Sequence, residues 1–321
     1  MNADDQSRMK LATTAASRVA GKKPAALRRF STGTGHHVFE AVFVDHPPLV
    51  VRMGHPSCRT AMEAGLQLHK RLRSMGVRLP EIIAEDLKQM WPYAVLERLE
   101  GSDLGNVISG LSSSTLDSIA ARVAEAQTIA ARVPSAGRYG YAPEPKQARY
   151  AAWSHVLDAD LARSRARIAE AGLFDQHAAN MVAALLSTVR ADLDAMPAVP
   201  FLHDTTTKNV IVTAAGAFSG IVDVDDLCFG DPRYAPALTL ASLLASGGPV
   251  EYVGAWMSRA GHQDDRIFQL YVALFLVGFM SEHGHSFNGN PRTSTEQERA
   301  NLLRVFDAAL TRINAATGPS R

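Results

Sequence analysis

Across residues 27–53 apolar and polar positions alternate in short runs, the two-residue period of strands. Residues 38–44 read as one strand, His46-Pro47-Pro48 as a turn, and residues 49–53 as the returning strand. The period then lengthens. Met62, Leu66, His69 and Leu72 fall at three- and four-residue steps and predict a helix over 59–75. Residues 79–83 and 93–97 are extended again. Beyond Gly101 helical spacing dominates: 114–132, opened by a Ser-Ser-Ser-Thr cluster that can cap it, then 148–171, 175–194, 236–246, 250–259, 264–281 and 295–315. Residues 137–145 read as a loop, and 201–231 as a strand, a loop and a hairpin. Residues 1–23 read as a flexible or weakly helical lead-in. The pattern therefore divides the chain into a lead-in (1–24), a small sheet-rich lobe (25–100) and a larger helical lobe (101–321), with no internal repeat.

Composition narrows the class. The 321 residues are 46% hydrophobic and 20% charged, with a net charge of +1. That suits a globular protein with a large core and gives no footprint for nucleic acid. Cys58 and Cys228 are too few and too far apart for a disulfide framework or a zinc site, and fit a reducing compartment. The longest apolar run, 271–280, is too short for a bilayer, which needs roughly 20 residues, so it predicts a buried helix. No signal-peptide pattern opens the chain. These features predict a cytoplasmic protein without a membrane partner; its oligomeric state is open.

Chemistry concentrates in residues 202–231. Asp204 is followed five residues on by Asn209, which opens the apolar run Val210-Ile211-Val212. Residues 210–213 and 218–222 predict a hairpin around Ala214-Ala215-Gly216-Ala217, which returns Asp223 beside Asn209. Two oxygen ligands at one point suit Mg²⁺, which takes phosphates and waters as further ligands. Asp204 is then placed as a catalytic base. Asp225 is expected to turn away by strand alternation or to act from behind, and Asp231, in Gly230-Asp231-Pro232, to be a buried hydrogen-bond anchor. His36-His37 and His283-x-His285 lack metal-ligand partners and read as surface or loop residues. Neither a Gly-x-Ser-x-Gly elbow nor a P-loop is present.

His203-Asp204-x4-Asn209, Ile221-Val222-Asp223 and Gly230-Asp231-Pro232 together resemble the aminoglycoside phosphotransferase and choline kinase-like family. The resemblance spans nearly the whole chain. It implies an α+β, bilobal protein-kinase-like fold: a small antiparallel-sheet N-lobe and a larger, mostly helical C-lobe. It implies an ATP- or GTP-dependent transfer of phosphate to a hydroxyl of a small molecule, an aminoglycoside or another amino alcohol or sugar, with Asp204, Asn209 and Asp223 as catalytic residues and Asn209 and Asp223 on Mg²⁺. Arg52 stands where the family places a basic residue on the phosphates, and Glu63 where it places that residue's acidic partner. Gly33 and Gly35 match a nucleotide-covering loop, and the backbone of Glu97 and Leu99 matches the hinge that meets adenine. Lys208 either adds charge at the phosphate or points to solvent.

Several positions depart from the family pattern. Leu202 and His203 replace the His-Gly that precedes the catalytic Asp, Ala235 replaces an Asp after Gly-Asp-Pro, and Arg52 stands where Lys is usual. The departures leave open a catalytically silent nucleotide-binding module. A protein kinase is the other rival, but no Asp-Phe-Gly or Ala-Pro-Glu signature brackets an activation segment. The acceptor is expected against residues 148–167 and 264–285. Asp160, Asp264, Asp265 and Glu282 are the carboxylates that could meet a polycationic one.

Overall fold

A computed structural model describes residues 3–30, 36–287 and 290–315. Gly33 and Gly35 lie outside the described residues. Of the two alternatives for the lead-in, flexible or weakly helical, the structure shows a helix. Helix α1 (Ala3–Ala20) is followed by strands β1 (Ala26–Arg29), β2 (His37–Val42) and β3 (Leu49–Met53), helix α2 (Arg59–Ser74), and strands β4 (Ile82–Asp86) and β5 (Tyr93–Glu97). The strands form one antiparallel sheet in the order β1-β2-β3-β5-β4. Helix α1 lies on one face of it, where Ala12, Ala15 and Ala16 are buried against Phe39, Val51, Met53, Tyr93 and Val95. The lead-in is thus a docked helix. Its alanines are spaced for one face and small enough to lie flat on large strand side chains, a pattern too weakly apolar to read from sequence.

Alternation along β3 and β5 sends the neighbouring side chains to the opposite face. There Val50, Ala94 and Leu96 pack against Met62 and Leu66 of α2. Arg52 shares that face by register, opposite Ala94.

A short crossing leads into the second lobe, which opens with β6 (Ser102–Asp103) and α3 (Ser113–Ala130). Gly101 in this crossing has φ +102°, and a Cβ there would stand 1.9 Å from the carbonyl oxygen of Val212, so only glycine fits. Ser112 caps α3, accepting from the amide of Thr115 at 3.2 Å. Next come β7 (Gly140–Ala142), α4 (Trp153–Ala171), α5 (His177–Thr188), α6 (Arg190–Asp194), β8 (Val199–Phe201), β9 (Val210–Val212), β10 (Phe218–Ile221) and β11 (Leu227–Gly230). Helices α7 (Tyr234–Ser246), α8 (Glu251–Ala260) and α9 (Arg266–Met280), the hairpin β12 (Ser286–Phe287) and β13 (Asn290–Pro291), and α10 (Glu296–Ala315) complete it.

Helix α9 is buried on nearly every face among α4, α5, α7 and α10, which accounts for the apolar run at 271–280. No helix of the described residues is long and apolar enough to cross a membrane. Two three-stranded sheets, β10-β9-β6 and β7-β11-β8, line the side of this lobe that faces the first. Strand β7 of the second arises inside 137–145, which reads as loop from sequence. The strands of that sheet are three or four residues long, too short to carry a visible period.

Candidate active site

The segment between β8 and β9 carries Asp204 and Asn209. It is held from below. The side-chain amide of Gln127, on α3, donates to the carbonyl of Leu202 at 2.8 Å and to the Thr205 hydroxyl at 3.1 Å; its oxygen accepts from the Leu202 amide at 2.9 Å. Thr205 is fully buried and Leu202 nearly so. A leucine at 202 therefore leaves the loop anchored, because a glutamine on a different element supplies the polar contacts. Nothing in the local motif signals Gln127, since its partners are backbone groups distant in sequence.

Asn209 donates from Nδ2 to the Asp204 carbonyl at 3.0 Å, which fixes its amide plane. Asp204 itself accepts from the Thr206 hydroxyl at 3.0 Å. The hairpin closes as expected: the Val222 amide donates to the Asn209 carbonyl at 2.9 Å, setting Asp223 next to that loop. Asp223 has φ +61°, the left-handed region that a side-chain-bearing residue rarely occupies and that collects at functional sites. Its carboxylate is 57% exposed, more open than that of Asp225 at 37%. Desolvation in the cleft raises its pKa, Arg52 draws it down, and the neighbouring Asp225 and Asp204 push it up again, leaving it above the usual range.

Arg52 crosses from the first lobe to the second. Its Nη1 donates to Asp225 Oδ1 at 2.6 Å and its Nη2 to Asp225 Oδ2, a two-pronged pair; Nη2 also donates to Asp223 Oδ1 at 3.1 Å. The same Nη2 donates to His36 Nδ1 at 2.9 Å. Burial and the guanidinium hold His36 down to about 4, so its ring is a neutral acceptor at pH 7. Of the two alternatives for Asp225, the structure takes the second: it does not turn away but is the principal partner of Arg52. His36, read as a surface or loop residue, lies in the bend before β2 with its ring in the cleft. One oxygen or nitrogen from each of His36, Asp223 and Asp225 lies within 4.8 Å of the others.

The expected Arg52–Glu63 pair is absent. Glu63 is exposed on α2, and among the described residues it has no ion-pair partner. It follows Met62 directly, so it sits roughly 100° around the helix from the Met62–Leu66–His69 stripe that faces inward. What the helix presents to the cleft is Gly65, where an added Cβ would lie 3.1 Å from both the carbonyl and the carboxylate oxygen of Asp225. A glycine inside a helical pattern usually has a packing reason, and here it lets the 223–226 segment approach.

His203 Nε2 bonds Asp226 Oδ1 at 2.6 Å, and its ring meets Tyr141 edge-on. Burial lowers the His203 pKa, but the hydrogen bond and charge of Asp226 outweigh it, so the imidazolium persists above the usual range. Lys208 is exposed, and among the described residues its ammonium has no ion pair or hydrogen bond.

At the crossing between lobes, Arg98 bonds Glu40 at 3.1 Å, the Gly101 carbonyl at 3.1 Å and the Leu99 carbonyl. The Glu97 amide donates to Glu81 at 2.9 Å, so Glu97 could offer a base only its carbonyl. Asp231 is the buried anchor expected, accepting from the Tyr271 hydroxyl at 2.9 Å and pairing with Arg233. His283 lies in the turn after α9, as a loop residue, and is fully buried there, its Nδ1 at 2.9 Å from the Ser294 hydroxyl.

A two-lobed molecule with an Asp–Asn loop, a following strained Asp and a cross-lobe basic residue has the architecture of the protein-kinase-like fold. The sequence model of the phosphotransferase enzyme family (APH) matches residues 26–271, and the chain belongs to that family. Solved structures agree on the fold. A thermostable mutant of aminoglycoside phosphotransferase APH(4)-Ia in its apo form is 15% identical, with 95% of this chain and 99% of that one covered at a TM-score of 0.64. APH(2″)-IIa in a ternary complex with streptomycin and ATP is 12% identical, with 95% and 98% covered at 0.60. A protein from Thermobifida fusca YX-ER1 assigned as a fructosamine-3-kinase is 17% identical, with 93% and 98% covered at 0.59. No curated protein matches the chain.

Proposed function

We propose that this phosphotransferase moves the γ-phosphoryl group of ATP to a hydroxyl of a small molecule. The observation that carries the reading is the convergence of Arg52 from one lobe with Asp223 and the Asp204–Asn209 loop from the other. Asp204 accepts a hydrogen bond from the acceptor hydroxyl and aligns its oxygen with the γ-phosphorus. The bond from phosphorus to the β–γ bridging oxygen breaks, a bond to the acceptor oxygen forms, the hydroxyl proton leaves by way of Asp204, and ADP departs. The transition state of such transfers is loose, so positioning and charge neutralisation do most of the work.

The donor set fits Mg²⁺. Asp223 is solvent-open, Asn209 has its amide oriented by one bond and its oxygen uncommitted among the described residues, and both are hard oxygen ligands. Asn209 and Asp223 would hold the ion, which would supply neutralisation of phosphate charge. Arg52 is the phosphate contact from the first lobe, and exposed Lys208 a second cation beside the loop. The carbonyl of Glu97 and the amide of Leu99 are the hinge groups left for adenine. Asp204→Asn should lower kcat by about 10²- to 10⁴-fold, and Asp223→Ala should abolish turnover, with unchanged far-UV circular dichroism in both. Substantial turnover in both variants would overturn the reading.

A further inference from the structure

Beyond Lys208, the far side of the Asp204 loop carries charges that the transfer step does not use. Helix α9 ends in a turn holding Glu282, whose carbonyl accepts from the His285 amide at 3.3 Å. His285 Nε2 donates to the Arg167 carbonyl at 3.0 Å, and the Arg292 amide donates to the His285 carbonyl at 2.8 Å. The Arg167 guanidinium lies over the Phe287 ring at 5.3 Å. The end of α4, the turn after α9 and the strand leaving β13 are thus tied into one corner. Burial raises the Glu282 carboxyl, while Arg292, Lys208 and Arg167 draw it down and Asp204 pushes it up, so all four groups stand within electrostatic reach of it. The corner therefore lies within the electrostatic reach of Glu282 that also takes in Asp204, the residue proposed as base.

Its charge balance is positive. Arg167, Lys208 and Arg292 supply three cations, and among the described residues none of their side chains is in an ion pair or hydrogen bond. Glu282 opposes them beside Asp204. The other carboxylates that could have met a polycation are committed elsewhere. Asp160 accepts from the hydroxyls of Tyr141 and Tyr234 at 2.9 Å each and pairs with Arg163. Asp264 takes the Gln269 amide. Asp265 caps α9 through the Phe268 amide at 2.9 Å and pairs with Arg233.

We infer that the acceptor alcohol carries an anionic group, a carboxylate or a phosphate, which Arg167, Lys208 and Arg292 receive while its hydroxyl faces Asp204. The inference rests on the phosphotransfer reading and narrows its substrate class. A polycationic sugar would set its ammonium groups against three unpaired cations, a like-charge cost with few acids to offset it.

The test uses the full chain with Mg·ATP and a size-matched panel: glycerol, glycerate, glycerol phosphate, ethanolamine, and kanamycin as the polycation. Calorimetric binding and acceptor-dependent ADP release are both read. Glycerate or glycerol phosphate should bind at least about 10-fold more tightly than glycerol, and which of them does so separates a carboxylate from a phosphate site. Arg167→Gln and Arg292→Gln should each weaken that binding about 10- to 100-fold, as loss of a charged hydrogen bond does, with acceptor-free ATP hydrolysis unchanged. Preference for glycerol, ethanolamine or kanamycin, or anion binding untouched by both substitutions, overturns the inference. Failure of Mg·ATP to bind at all breaks the phosphotransfer reading instead; retained Mg·ATP binding with no charge discrimination breaks only this one.

Discussion

Arg52 owes its position to what is missing opposite it. Gly65 leaves the inner face of α2 bare, so Asp225 can lie where a helix side chain would otherwise stand. The acid that holds Arg52 therefore comes from the second lobe, two residues after Asp223. Asp225→Asn should raise KM for Mg·ATP by about 10-fold or more, the worth of a charge-assisted pair, while Glu63→Gln stays within about twofold of the parent. Steady-state kinetics decides it, and a larger effect at Glu63 would contradict the geometry. Asp204, Asn209 and Asp223 are legible in the sequence because one loop and one hairpin set their mutual placement. The partners of Arg52 are not, because they arise from packing between elements that no local spacing records. The outward alternative for Asp225 rests on strand alternation, which the left-handed backbone at Asp223 interrupts.

Among the elements, those with long periodic faces agree with their sequence pattern, and those resting on small or few residues do not. Helix α9 and strands β3 and β5 are legible because their apolar side chains are large and regularly spaced. Helix α1 is not, since alanine contributes little to any apolar signal yet packs closely on Phe39 and Val51. The crossing at residues 97–101 shows the limit of motif reading: Gly-containing hinges are common, but this one abuts β9 so closely that Gly101 cannot carry a side chain. Gly101→Ala should cost about 1–3 kcal/mol from its backbone conformation alone, and more from the contact with Val212. Urea unfolding measures the loss. A stability equal to the parent would mean that the crossing relaxes freely and does not lock the hinge to the hairpin beneath it.

Over the whole molecule the cleft is a balance of charge between lobes. Asp204, Asp223, Asp225 and Asp226 line the second-lobe side, against Arg52 from the first lobe and His203 bonded to Asp226. The acids outnumber those cations, and Arg52 is already engaged by two of them. A triphosphate entering alone would add several negative charges to this surplus. It would also have to take Arg52 from Asp223 and Asp225 without giving those carboxylates another partner. On the proposed reading Mg²⁺ would make the exchange favourable, since Asp223 would hold the ion as Arg52 turned to phosphate, and nucleotide and ion should then bind as one unit. Saturating Mg·ATP, at about 100 times its Kd, should stabilise the fold by about 2.7 kcal/mol, read as a rise in melting temperature. ATP with EDTA should give little or no shift, and Asp223→Asn should lose most of the Mg-dependent part. An equal shift with EDTA would show that the cleft receives the triphosphate through Arg52 and Lys208 alone, and that the surplus of carboxylates serves some purpose other than holding the ion.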